Sequence, residues 1–81
     1  MDTRIAVVSI IVEDNEKTGQ LNEIIHMYAE YIIGRMGIPY HKRNISIISL
    51  VLDAPQTKIS ELSGKLGRIE GITSKVAYSK V

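Results

Sequence analysis

Two stretches of the chain share one pattern. Ile5 to Val12 and Ile45 to Leu52 are apolar on both parities, interrupted only by Ser9 in the first and by Ser46 and Ser49 in the second. β-Branched runs of this length without alternation describe strands covered on both faces, so both are predicted to be central in a sheet. A third stretch behaves differently. Ile72, Ser74, Val76 and Tyr78 alternate with Thr73, Lys75, Ala77 and Ser79, the period of a half-exposed strand.

Between these runs the period changes to that of a helix. Leu21, Ile24, Ile25, Tyr28, Ala29 and Ile32 fall on one stripe. Asp14 or Asn15 can cap that helix, with Glu16 near the positive end of its dipole. Ile59, Leu62, Leu66 and Ile69 form a second stripe. Pro55 suits its first turn, and Gly67 or Gly71 closes it. From about Tyr31 to Tyr40 two glycines and a proline rule out a helix interior but suit a bulged edge strand. His41-Lys42-Arg43-Asn44 is then the polar tip of a hairpin leading into the second apolar run.

Strand–helix–strand thus occurs twice in series. The order predicts one α+β domain over residues 1–81 with the ferredoxin-like βαββαβ fold: a four-stranded antiparallel sheet with two helices on one face. Right-handed crossovers place both helices on the same face, and in this fold the first and third strands lie in the middle, the same two that the apolar runs mark as central. Helices on one face leave the other bare. Ala6, Val8, Ile10 and Val12 share one parity and Ile5, Val7 and Ile11 the other, as Ile45, Ile47 and Val51 oppose Ile48, Leu50 and Leu52, so one apolar set of each strand faces water. Such a patch usually marks an interface. A homo-oligomer, dimer or tetramer, built through the sheet face or its edges is therefore expected.

Composition narrows the chemistry. Ten basic residues face nine acidic ones, which supports no broad electrostatic footprint for nucleic acid or an anionic membrane. The absence of cysteine excludes a disulfide, a zinc knuckle, an iron–sulfur site and a thiol nucleophile. The opening apolar run is followed by Glu13-Asp14-Asn15-Glu16 rather than by a cleavage site, and it is too short to span a bilayer. A soluble cytoplasmic protein without a membrane partner is the expectation.

Other proteins of this shape work through motifs missing here. There is no Cys-x-x-Cys for carrying metal, no aromatic residue on the central runs for stacking bases, and no Gly-rich, Arg-bearing loop after the first strand. No nucleophile–base pair can be named, so no enzymatic activity is expected. His26 and His41 are weak metal candidates, usable only if symmetry brings copies together. The least ordinary stretch is Gly34-Arg35-Met36-Gly37-Ile38-Pro39-Tyr40. It reads either as an edge broken against aggregation or as a backbone open to close approach, with Arg35 as an anion or carboxylate partner.

Tyr31-Ile32-Ile33-Gly34-Arg35-Met36-Gly37-Ile38-Pro39-Tyr40, Ile45-Ser46-Ile47-Ile48-Ser49, Leu62-Ser63-Gly64-Lys65-Leu66-Gly67 and Ala77-Tyr78-Ser79-Lys80 resemble the family of iron-only hydrogenase system regulators nearly end to end. That family is ACT-like, similar to the C-terminal domain of the nickel-responsive repressor. The resemblance implies an oligomeric regulatory or sensing domain linked to hydrogenase maturation. Two features do not carry over. The repressor's cysteine ligand has no counterpart, and residues 1–81 leave no room for its ribbon-helix-helix segment, so direct nucleic-acid binding by this domain alone is not expected. Asp14-Asn15 also stands where amino-acid-binding ACT domains often place Pro-Gly.

The chain is accordingly read as a non-enzymatic regulatory domain that senses a small-molecule effector or binds a protein partner. The candidate ligand-binding residues are Asp14, Asn15, Gly34, Arg35, Gly37 and His41. The alternatives are a protein-interaction module without a ligand and a metal sensor using His26 and His41 at an interface.

Overall fold

The computed structural model describes residues 2–80. Strand β1 (Arg4–Val12) leads through a short 3-10 turn into helix α1 (Thr18–Met27). Strand β2 (Ile32–Tyr40) and strand β3 (Ile45–Ala54) form the hairpin, and helix α2 (Gln56–Gly67) and strand β4 (Ile72–Tyr78) complete the chain. The sheet order is β2-β3-β1-β4, with every neighbouring pair antiparallel. This is the ferredoxin-like α+β fold, and the two fully apolar runs are its central strands.

Burial follows parity. Ala6, Val8, Ile10 and Val12 of β1, with Ile48, Leu50, Leu52 and Ala54 of β3, point towards the helices and are buried. Leu21, Ile25 and Tyr28 cover them from one side, and Ile59, Leu62 and Leu66 from the other. Among the described residues, all 15 buried ones are hydrophobic, and no buried side-chain polar atom lacks a hydrogen bond. The core therefore sits wholly between one sheet face and two helices.

Local chemistry explains where the elements stop, and it departs from the sequence reading in three places. Asp14 does not cap α1 directly. Its Oδ1 accepts the Glu16 N–H at 3.0 Å and opens the 3-10 turn Asn15–Lys17, from which α1 continues. Helix α1 ends at Met27, earlier than its apolar stripe suggests. Tyr28 leaves helical geometry at φ −113°, and Ala29–Tyr31 form a 3-10 turn that still carries the Tyr28 ring into the core. Ala29 is exposed, and Ile32 is already in β2. Pro55 occupies the N-cap of α2 rather than its first turn, because β3 runs two residues further than Leu52 to bury Ala54 against Ile59.

Two backbone positions need special conformations. Asn44 closes the hairpin tip in the left-handed region at φ 54°, which asparagine tolerates better than most residues. Gly71, at φ 82°, precedes β4 where the chain passes the end of β1. Its carbonyl accepts the Glu13 and Asp14 N–H groups at 2.7 and 3.2 Å. A Cβ added there would lie 2.6 Å from the Asp14 Cβ, so glycine is required on both counts.

Candidate functional site

Helix α1 lies over the central strands and leaves the inner face of the edge strand β2 uncovered. Period-2 alternation decides which β2 residues face that gap. Arg35 pairs with Leu50 and Gly37 with Ile48, both of which point to the helices. Arg35 and Gly37 therefore line a groove between α1 and β2. One part, about 400 Å³, is bounded by Asn22, Ile25, His26, Ala29, Ile32 and Arg35. The adjoining part, about 260 Å³, includes Asn22, Arg35, Gly37, Pro39 and Ile48.

Arg35 divides the two parts and is held in place. Its Nη2 donates to the Asn22 Oδ1 at 2.8 Å, bridging strand and helix. The only ion pair among the described residues is Lys58–Glu61 at 3.6 Å, so Arg35 has no carboxylate partner there. No acidic residue lines either part of the groove. The result is a mainly apolar channel crossed by one positioned cation, with Asn22, His26, Thr18 and Ser46 as its uncharged polar side chains.

The other sequence candidates are distributed differently. Gly34 faces the opposite side of the sheet, paired with Val51, whose Cβ would lie 4.0 Å from a Cβ added at Gly34, after a register shift between Ile32 and Gly34. Asp14 is occupied by its capping bond and its contact with Gly71. Asn15 ties the first-strand loop to the hairpin tip, its Nδ2 donating to the Asn44 Oδ1 at 2.7 Å and to its carbonyl at 3.1 Å. His41 sits in the exposed 3-10 turn of that tip. His26 and His41 stand towards opposite ends of β2, and no group of three metal-capable side chains gathers among the described residues. Asn22 was not among the sequence candidates. A polar residue on a helix surface carries no mark of what will cross to meet it.

The reverse side of the sheet is bare. Ile11, Ile47 and Ile38 form one row across β1, β3 and β2, and they are 41%, 40% and 48% exposed. Val7 and Val51 form another row, flanked by Ala77 on β4. Ile5, Met36 and Tyr40 extend the patch. Between the two aliphatic rows, Ser9 and Ser49 pair directly, with Met36 and Lys75 beyond them on the edge strands.

These features describe a small ferredoxin-like domain with an open apolar sheet face and a basic-centred groove on its helix side. The model of the TM1266-like family, the iron-only hydrogenase system regulators, matches residues 4–76. The chain belongs to this family. It is similar to the uncharacterized protein TM1266 from Thermotoga maritima, with 41% identity over 98% of this chain and 100% of that one, at a TM-score of 0.94. A formyltetrahydrofolate deformylase from Pseudomonas putida KT2440 has the same fold in part. It superposes on 90% of this chain and 28% of its own at a TM-score of 0.65, but at 8% identity the likeness concerns the fold alone. Comparison with the curated proteins gives no match.

Proposed function

We propose that the chain is a non-enzymatic, ACT-like regulatory domain of the iron-only hydrogenase system that works as an oligomer and responds to a small effector or a protein partner. Family membership supports the regulatory part. The bare apolar face of the sheet is the observation that carries the oligomer. A nine-residue strand is about 30 Å long and four strands are about 19 Å across, so the face spans on the order of 600 Å². Two such faces cover on the order of 1,200 Å², the lower bound of specific interfaces. If roughly 800 Å² of that is apolar, burial contributes about 20 kcal/mol gross, against roughly 4–15 kcal/mol of lost freedom.

Association through the face is favoured over association through the edges. The β2 edge carries a bulge and Pro39, both poor templates for another strand, and the β4 edge carries Lys75. Sheet-on-sheet packing brings Ser9 and Ser49 to the middle of the contact. A hydroxyl buried there without a partner costs about 1–3 kcal/mol, so only registers that satisfy both serines are stable. Sedimentation velocity at micromolar concentration is expected to show an oligomer, and a monomer at every concentration tested sinks the oligomeric reading. Deleting the gene in its host is expected to alter iron-only hydrogenase activity or expression. No change in either overturns the regulatory role.

A further inference from the structure

The groove between α1 and β2 has a composition that selects for one kind of small molecule. We propose that it is an effector site for a small carboxylate with a branched aliphatic or aromatic body, bound through Arg35. This rests on the effector-sensing part of the reading above and names the class of effector.

Three observations carry it. First, the guanidinium is oriented but not neutralised. Asn22 takes one N–H at 2.8 Å, and the remaining donors have no protein acceptor among the described residues. A planar fork of this kind suits a carboxylate bidentately, and a charge-assisted pair of that type is among the stronger contacts a shallow site can offer. Second, the surroundings are mainly apolar and free of acids, with Asn22, His26, Thr18 and Ser46 the other polar side chains. Ile25, Ala29 and Ile32 lie on one side of Arg35, and Pro39 and Ile48 on the other. An anion with no apolar body leaves those walls in water, and an apolar molecule with no anion leaves the guanidinium desolvated and unpaired. Third, the floor is kept open by Gly37. A Cβ built on Gly37 meets nothing within 4 Å, and its position opposite Ile48 aims it into the groove. Neither packing nor backbone geometry requires glycine at that position. The two parts together are within the size range of small-ligand pockets, roughly 300–1,000 Å³.

The test is a 1H–15N NMR titration of the whole chain with 4-methylpentanoate, using 4-methylpentanamide as the uncharged isostere and inorganic phosphate as the anion without a body. Saturable shifts at the amides of Asn22, Arg35 and Gly37 are expected with the carboxylate only. Arg35→Gln is expected to weaken binding by at least about ten-fold, the loss of one charge-assisted pair. Gly37→Val is expected to block the groove while its urea midpoint stays at or above the parent's, since a Cβ there meets no atom within 4 Å and valine suits an extended strand. Equal shifts with the amide, no shifts with the carboxylate, or unchanged binding in both variants overturns the proposal. Sedimentation of the same samples reads the oligomer separately. A monomer that binds keeps the site and removes the oligomeric reading, and an oligomer that does not bind does the reverse.

Discussion

Adjacent residues of the same two strands lead opposite lives. Val8 and Ile10 are fully buried beneath the helices, whereas Val7 and Ile11, their neighbours on β1, lie on the open face with Ile47 and Val51 of β3. The residue types are nearly the same on both sides. What differs is the cover: α1 and α2 on one face, solvent on the other. The inner face therefore stabilises the folded chain itself, while the outer face holds free energy that only a second surface can release. A small domain buries a modest share of its surface, so this division places much of its hydrophobic potential outside the monomer.

The comparison can be broken most directly at Ile10. Ile10→Ala empties a fully buried position and is expected to cost about 2–5 kcal/mol in urea unfolding, whereas Ile11→Ala, studied where the chain is monomeric, costs well under half of that. Similar losses at both positions end the distinction between the faces. If the face associates as proposed, Ile47→Asp is expected to leave the monomer folded and to raise the dissociation constant about a hundred-fold, roughly 3 kcal/mol, in sedimentation equilibrium. An unchanged constant moves the interface away from this face.

Smaller effects belong to neither face and calibrate both. Gly71→Ala combines a positive φ with a contact at 2.6 Å, and it is expected to cost about 1–3 kcal/mol with no change in association. Asp14→Ala removes the cap of the first turn and costs about 1 kcal/mol by thermal unfolding. Lys58→Ala breaks an exposed ion pair and is expected to lie within about 0.5 kcal/mol of the parent. A ranking in which the surface pair outweighs Gly71 contradicts the view that packing and backbone geometry dominate here.

The fold was largely legible from parity. Both-sided apolar runs marked β1 and β3 as central, alternation marked β4, and the Gly34–Tyr40 composition marked β2 as a bulged edge. Misplacements fell at element ends, where cap geometry rather than periodicity decides. Tyr28 continues the stripe of α1 without continuing its helix, and Ala54 extends β3 because Ile59 and Ala6 provide its packing. The candidate site was only half legible. Gly34 and Gly37 are three residues apart, so a strand sends them to opposite faces, and only Gly37 joins Arg35 in the groove. Asp14 and Asn15 hold the loop against Gly71 and Asn44, and the groove does not include them. Asn22 became visible only when α1 and β2 were set side by side. The staple at the other end of the sheet is similar. Arg4 donates to Gln56 at 2.7 Å and stacks over the Tyr78 ring at 4.2 Å, while Gln56 donates to the Tyr78 hydroxyl at 2.9 Å.

The amino-acid sequence by itself determined the order of the elements, the central pair of strands and the existence of a second apolar face. These depend on local period and on the number of helices available to cover a sheet. Tertiary structure alone decided that Arg35 meets Asn22, that Gly37 rather than Gly34 floors the groove, and that Ser9 and Ser49 stand together in the middle of the bare face. Each of those depends on the register and packing of segments distant in the chain, which no local pattern encodes.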